Sequence, residues 1–198
     1  MEGAHRRRLT EHEYLVLERA GEVKHEYVGG EMVAMAGGSP RHNAICGNVV
    51  GVLRDLLRDR PCLVLPSDQR VQVEGTGLYT YPDVSVVCGR PRFSPKDDHT
   101  LLNPVLIVEV LSESTEAYDR GAKFAHYRRL QSLQEYIVVT AGEERIEHFC
   151  RQDGGTWLLT EVSGVDAAVE LPVLGVSLPL AEVYAKLELL LPEPTVEP

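Results

Sequence analysis

The residues of this chain most able to do chemistry are two carboxylates set in apolar segments and a lysine that follows them. Asp83 lies in segment 81–87, and Glu109 lies in the run of valine, isoleucine and leucine at 105–111. A charge within an apolar run is costly unless another group compensates it. Two acids with an amine such as Lys123 suit a divalent cation and a phosphodiester, so the pattern predicts a metal-dependent nuclease.

Glu109 is the most specific of these signals. On a strand, Ile107, Glu109 and Leu111 share one face. A buried carboxylate with apolar neighbours must be paired, protonated or bound to a cation. A structural salt bridge to Arg70 or Arg120 is the alternative, because ion-pair networks also produce such sites.

The roles predicted for Asp83 and Lys123 depend on which residues lie near them in the folded protein. Pro-Asp often marks a turn, but Asp83 and Glu109 could converge on one Mg²⁺ or Mn²⁺ if their strands are neighbours. Lys123 could orient the attacking water or stabilise charge on the phosphate. The alternative for Lys123 is a solvated lysine on a helix, paired with Asp119 four residues earlier.

Three further residues are weaker candidates. Tyr127 lies one helical turn after Lys123 and could hydrogen-bond phosphate or water, or simply pack in the core. Glu26 could add a carboxylate to the site, although an exposed hairpin residue would look the same. His42 is expected to make local hydrogen bonds rather than to bind a metal.

Local signals predict the elements that position these residues. The segment beginning Thr10-Glu11-His12-Glu13 has a capping-box pattern and predicts a helix to about Gly21. Gly29-Gly30 predicts the turn of a hairpin over 24–35, and Ser39-Pro40 predicts the start of a helix that Pro61 ends. The remaining expectations are strands at 63–73, 82–88, 105–111 and 135–140, an exposed loop at 89–103, a helix around Lys123, a hairpin at 145–151 and 157–162, and a last helix from Leu180 to Leu191. This order predicts an α+β fold, with a mixed central sheet flanked by helices and preceded by an N-terminal helix and hairpin.

The amino-acid composition is typical of an ordinary globular protein. The 198 residues are 43% hydrophobic and 25% charged. We expect one domain over 1–191 and a disordered tail over 192–198. No apolar stretch is long enough for a membrane span and no secretory signal is visible, which predicts a cytoplasmic protein. The four cysteines show no zinc spacing and are expected to be reduced.

The formal net charge of −10 is unusual for a nucleic-acid-binding protein. Neutralising phosphates supplies much of the affinity of such proteins. Arg120, Lys123, Arg128 and Arg129 could form a local basic strip. We therefore expect weak, salt-sensitive DNA binding, or a protein partner that supplies the affinity.

Several motifs together resemble one family. They are Leu9-Thr10-Glu11-His12-Glu13-Tyr14, Glu26-Tyr27-Val28-Gly29-Gly30-Glu31, Ser39-Pro40-Arg41-His42-Asn43, Tyr81-Pro82-Asp83-Val84, the run from Pro104 to Ser112, Tyr118-Asp119-Arg120-Gly121-Ala122-Lys123 with Tyr127, and Glu135-Tyr136-Ile137-Val138-Val139. In these motifs the chain resembles the Uma-type family of restriction-endonuclease-like proteins, within the PD-(D/E)XK nuclease superfamily.

The resemblance implies a restriction-endonuclease-like core, a homodimer, and Asp83 and Glu109 as metal ligands, with the backbone carbonyl of Val110 as a third. The usual motif has lysine two residues after the second acid, where this chain has Leu111. Lys123, on the following helix, matches the position to which the family's lysine has moved.

The leading hypothesis is a Mg²⁺- or Mn²⁺-dependent endonuclease acting on DNA. The alternative is a catalytically inert domain of the same fold that dimerises or binds another protein. The acidic charge and the missing lysine at position 111 favour the alternative. The three polar residues in apolar surroundings favour the enzyme.

Overall fold

The computed structural model describes residues 7–112 and 116–190. The strands are β1 (His25–Val28), β2 (Glu31–Ala34), β3 (Cys62–Pro66), β4 (Arg70–Val73), β5 (Leu78–Thr80), β6 (Val84–Cys88), β7 (Phe93–Ser94), β8 (Asp97–Leu101), β9 (Leu106–Leu111), β10 (Glu135–Thr140), β11 (Arg145–Arg151), β12 (Trp157–Ser163), β13 (Ala168–Leu171) and β14 (Val176–Pro179). The α-helices are α1 (Glu11–Ala20), α2 (Pro40–Leu56), α3 (Glu116–Tyr118), α4 (Phe124–Tyr127) and α5 (Leu180–Val183). A π-helical turn covers Asp119–Lys123, and 3₁₀ turns cover Asp153–Gly155 and Leu187–Leu190.

The two long helices begin where their caps predict. The Thr10 side chain accepts from the Glu13 N–H while the Glu13 carboxylate bonds back to Thr10, which completes the predicted capping box of α1. Ser39 caps α2 through the His42 N–H, and Pro40 occupies the first turn. These bonds satisfy N–H groups that have no partner within the helix.

Two six-stranded mixed sheets form the body of the protein. The central sheet has the order β12-β11-β10-β9-β6-β3, with β9 and β10 parallel and its other neighbours antiparallel. The second sheet has the order β2-β1-β5-β4-β8-β7. Strands β13 and β14 form a separate hairpin. The α+β fold with mixed sheets and flanking helices agrees with the expectation.

The two faces of the central sheet bury different cores. On one face Val108 and Val110 of β9 join a cluster that includes Ile45 and Val49 of α2 and residues of α5. On the other face Ile107 and Leu111 join a cluster with Tyr127 and residues of the second sheet. Glu109 shares this second face, as the alternation of the sequence predicts.

The observed strands differ from the predicted elements in two segments, 63–73 and 89–103. Segment 63–73 is two strands, β3 and β4, which belong to different sheets. Segment 89–103 contains β7 and β8 instead of an exposed loop. Asp97, which lies within this segment, has a fully buried side chain and forms an ion pair with Arg70. The charge of Asp97 in β8 is tolerated because the guanidinium of Arg70 in β4 compensates it. The two residues are far apart in sequence, so the local pattern does not reveal this pair.

The last helix is shorter than expected. It ends at Val183, and Lys186 has a φ of 62°, which interrupts the helical path before the 3₁₀ turn. Leu191 and the expected tail over 192–198 lie outside the described residues. Within 7–112 and 116–190, no helix is long and apolar enough to cross a bilayer.

The expectation of reduced cysteines is wrong for one pair. Cys62 of β3 and Cys88 of β6 are directly opposite in the antiparallel register and form a disulfide. Pairing of the two strands brings these distant positions together, which the spacing of the cysteines does not reveal. Cys46 and Cys150 are free.

Candidate active site around Lys123

The register of β6 and β9 places the two acids beside each other. The last pair of the ladder is Val84 opposite Val108, so Asp83 and Glu109 are the next cross-strand neighbours. Beyond the ladder, Asp83 Oδ2 accepts a hydrogen bond of 2.8 Å from the Val110 N–H. The carboxylate thus replaces a backbone acceptor at the point where the strands diverge, and this fixes its position.

Lys123 is the centre of the acidic group. Its side chain is only 6% exposed, and its Nζ lies 3.0 Å from Glu109 Oε1, 3.2 Å from Glu26 Oε1 and 3.4 Å from Asp119 Oδ1. The lysine ends the π-helical turn, a feature frequent at functional sites. Neither a solvated lysine nor an exposed Glu26 describes the structure.

Neighbouring hydroxyl groups form hydrogen bonds with two of the carboxylates and with the backbone of the turn that carries Lys123. The buried Tyr127 hydroxyl donates a 2.6 Å hydrogen bond to Glu109 Oε1. Thr80 Oγ1 donates to Glu26 Oε1. The Tyr136 hydroxyl donates to the backbone carbonyl of Asp119 at 3.1 Å. Tyr127 is therefore both a core residue and a partner of the central acid.

The site carries more negative than positive charge. Burial raises the pKa of Glu109 to about 8; Lys123 opposes this shift, and the charges of Asp83 and Asp119 add to it. The surrounding acids hold the pKa of Lys123 well above its ordinary value despite the opposing effect of burial. The Lys123 ammonium is thus charged, but four carboxyl groups surround it, and a bound divalent cation would favour the ionised form of Glu109.

The donor set fits a hard divalent cation. Carboxylate oxygens are what Mg²⁺ and Mn²⁺ prefer. Asp119 Oδ1 is buried and, among the described residues, accepts no hydrogen bond, although Lys123 Nζ lies 3.4 Å away. Asp83 keeps 16% of its side chain exposed and leaves the site open to solvent. Asp83 and Glu109 would hold the ion. The role of the Val110 carbonyl stays a prediction, since the contact seen for this residue is through its N–H.

Two residues near Asp83 were not assigned to the site from sequence. His42 Nε2 lies 3.3 Å from Asp83 Oδ2, and the ligand atoms of His42, Cys46 and Asp83 lie within 4.8 Å of one another. The hydrogen bond to Asp83 is the main cause that raises the pKa of His42 to about 11. The only sequence signal for this pair is the spacing of His42 and Cys46 by one helical turn in α2.

The alternative partners proposed for Glu109 do not contact it. Arg70 pairs with Asp97, and Arg120 pairs with Glu116 and Glu147. The expected basic strip is likewise divided, because Lys123 is buried and Arg120 is paired. Arg128 and Arg129 remain exposed.

Comparison with known proteins agrees with this fold. Residues 12–181 match the family model described as "Uma2: Putative restriction endonuclease". Two relatives come from Synechocystis sp. (strain PCC 6803). "Uncharacterized protein slr1290" is 38% identical over 177 residues, covering 89% of this chain and 92% of that protein. "Uncharacterized protein sll1609" is 36% identical over 162 residues, covering 82% and 92%.

A solved structure shares the fold. It is described as the crystal structure of "a putative nuclease belonging to DUF820" from Anabaena variabilis ATCC 29413, and it aligns with a TM-score of 0.71 at 19% identity over 87% of this chain and 96% of that one. The family model matches most of the chain, and the elements that carry Glu26, Asp83, Glu109 and Lys123 all lie within the matched range. This chain belongs to the Uma2 family of restriction-endonuclease-like proteins.

Proposed function

We propose that this protein is a metal-dependent endonuclease that hydrolyses phosphodiester bonds in DNA. The observation that carries the proposal is the buried ammonium of Lys123, which lies within 3.4 Å of three carboxylates. One of these, Glu109, is the cross-strand neighbour of the partly exposed Asp83. Such a concentration of acids is costly in a core unless it serves a bound cation.

Asp83 and Glu109 would hold Mg²⁺ or Mn²⁺. The ion would supply Lewis-acid polarisation of the phosphate and a lowered pKa for the attacking water. In hydrolysis the water oxygen forms a bond to phosphorus, the bond to the leaving oxygen breaks, and the water proton leaves to a base. Lys123 would help to position the water and to offset charge on the phosphate.

The supporting residues would keep this arrangement rigid. Tyr127 fixes the Glu109 carboxylate, and the Val110 N–H fixes Asp83. Glu26 and Asp119 would hold the Lys123 ammonium between them and adjust the charge near the ion. Preorganised groups of this kind stabilise developing charge without rearranging during the reaction.

Relaxation of supercoiled plasmid DNA in Mg²⁺ or Mn²⁺ tests the proposal. Wild type should nick or cut the DNA, while Asp83→Asn and Glu109→Gln should lose activity by at least about a hundredfold. Asp98→Asn is a matched control, since Asp98 is 88% exposed and lies in β8 of the second sheet. Equal activity in all four proteins would contradict the assignment.

The inert binding module remains the second candidate. Its support is the net charge of −10 together with the ion pairs that occupy Arg120, since both weaken attraction to DNA. Absence of cleavage on single-stranded and double-stranded DNA, in a protein that binds another chain, would favour this module. The expected homodimer is also a proposal, and light scattering in solution would give its mass.

A further inference from the structure

A second group of metal-binding side chains lies away from the Lys123 site. Glu135 begins β10 and is directly opposite Cys150 of β11, while His148 is two residues from Cys150 and faces Ile137 across the same pair of strands. Their ligand atoms lie within 4.8 Å of one another. Ile137 packs with Val108 and Val110, so this group is on the opposite face of the central sheet from Glu109.

Two buried atoms of the group have unmet hydrogen-bonding capacity. The side chain of Glu135 is fully buried and that of His148 is 6% exposed. Within the part of the chain that the structure describes, Glu135 Oε2 and His148 Nε2 have no hydrogen-bond partner, although His148 Nε2 lies 3.5 Å from Glu135 Oε1. Glu135 Oε1 accepts one hydrogen bond, of 3.3 Å, from the Val173 N–H. Buried polar groups in native proteins are normally satisfied, so two unsatisfied atoms side by side call for an ion or another partner.

We propose that Glu135, His148 and Cys150 bind a divalent transition-metal ion of the zinc class. Imidazole nitrogen, thiolate sulfur and carboxylate oxygen are the ligands zinc uses. Glu135 Oε1 lies 3.5 Å from His148 Nε2, within the separation of about 3.3–3.6 Å between two ligand atoms on a tetrahedral ion with bonds of 2.0–2.2 Å. The soft thiolate distinguishes this site from the oxygen-rich Lys123 site, which suits Mg²⁺ or Mn²⁺.

The strand pairing explains how the ion would act. Glu135 and Cys150 come from paired strands, and Val173, in the turn between β13 and β14, bonds to Glu135. A bound ion would connect β10 to β11 beneath that turn. Cys150 is half-buried, which gives the ion a path from solvent and leaves room for a water as fourth ligand.

A buried ion pair between Glu135 and His148 is the competing explanation. It would satisfy the charges of these two residues but would give Cys150 no role. Substitution of the thiol therefore separates the two explanations. Cys46, the other free cysteine, lies beside His42 and Asp83 and supplies a matched control.

The test is a Co²⁺ titration of the whole protein, because thiolate ligation gives cobalt a near-ultraviolet charge-transfer band. Wild type and Cys46→Ser should show the band, and Cys150→Ser should not. Glu135→Gln should weaken Co²⁺ binding by at least about tenfold. No band in wild type, or a band that survives in Cys150→Ser and disappears in Cys46→Ser, would overturn the proposal.

Alkylation of the unsubstituted protein keeps the test decisive if a variant does not fold. Iodoacetamide labelling of Cys150, mapped by mass spectrometry, is compared with and without Zn²⁺. Slower labelling of Cys150 with Zn²⁺, but not with Mg²⁺, supports the site. An equal rate of Cys150 labelling in all three conditions rejects it.

Discussion

The ammonium of Lys123 lies 3.0 Å from Glu109 Oε1. In the usual motif of this superfamily the lysine is two residues after the acid, on the same strand. Here that position is Leu111, which is buried in the core. The π-helical turn that ends at Lys123 brings an ammonium to Glu109 from the following helix, so an acid–lysine pair forms although the two residues are 14 positions apart in sequence.

Replacing Lys123 by methionine should destabilise the metal-free protein. The change keeps the length of the side chain but leaves Glu26, Glu109 and Asp119 without their shared cation. Breaking a buried ion pair typically costs about 3–5 kcal/mol, and urea unfolding would measure it. Lys96→Met is the control, because this exposed lysine pairs with Glu11 at the surface and its loss should change little. An unfolding free energy of Lys123→Met equal to that of wild type would contradict the account of a charge-balancing lysine.

Tyr127→Phe should weaken both the fold and the metal site. The variant loses a 2.6 Å hydrogen bond to Glu109, and a typical hydrogen bond contributes about 0.5–1.5 kcal/mol. Because the hydroxyl also orients Glu109, we expect Mn²⁺ affinity to fall about tenfold to a hundredfold.

Tyr184→Phe separates these two effects. The Tyr184 hydroxyl lies 2.9 Å from the carbonyl oxygen of Thr140 and 2.8 Å from that of Arg145 and donates to one of them, on the face of the central sheet opposite Glu109. This change should reduce stability and leave Mn²⁺ affinity unaltered. The role of Tyr127 would be refuted by a Tyr127→Phe variant that binds Mn²⁺ as tightly as wild type.

The buried pair of Asp97 and Arg70 should make stability depend on acid. Burial alone would raise the pKa of Asp97, but hydrogen bonds from Thr100, Arg19 and Arg70 hold it well below its usual range. A depressed pKa means that the stabilisation is complete above the unfolded pKa of about 3.9 and is lost as pH falls toward the folded value.

Asp97→Asn tests this dependence. At pH 7 the variant should unfold about 3–5 kcal/mol more easily, because Arg70 loses its buried partner. The difference from wild type should shrink as pH decreases below about 4, since the unfolded wild-type chain then binds a proton at Asp97 that the folded protein does not. Urea unfolding between pH 7 and pH 3 provides the data; a difference that stays constant over this range would contradict the assignment.

Arg129 should contribute to DNA binding if the exposed end of the basic strip faces the substrate. Arg129→Gln should weaken binding at every sequence and reduce the slope of log K against log salt by about 0.9, the value for one phosphate contact. Arg58→Gln removes an exposed arginine elsewhere, one paired with Asp55, and should leave the slope unchanged. Fluorescence anisotropy with labelled DNA, at several salt concentrations, measures both. The same slope in Arg129→Gln as in wild type would remove this residue from the interface.

Local signals predicted much of the fold. The Thr10 and Ser39 caps act within a few residues, so the starts of α1 and α2 can be read from the sequence. Glu109 stood out because strand alternation places it between Ile107 and Leu111 on one face. These features need no knowledge of distant contacts.

The missed features all depend on distant contacts. Segment 89–103 was predicted as a loop because Arg70, the partner of its buried Asp97, is on another strand of the second sheet. The disulfide follows from the pairing of β3 with β6. His42 reaches Asp83 only because α2 packs against the central sheet. Single-sequence patterns report faces and ends of elements, but not which elements meet.

The central claim is that Asp83 and Glu109 bind a divalent metal, and Mn²⁺ titration followed by electron paramagnetic resonance tests it without a guess about substrate. Wild type and the exposed-acid control Asp98→Asn should bind Mn²⁺. Asp83→Asn and Glu109→Gln should lose binding while circular dichroism shows that they remain folded. Binding by wild type that is no tighter than that of these two variants, even with DNA present, would contradict the claim and leave the acids as structural residues of a binding module.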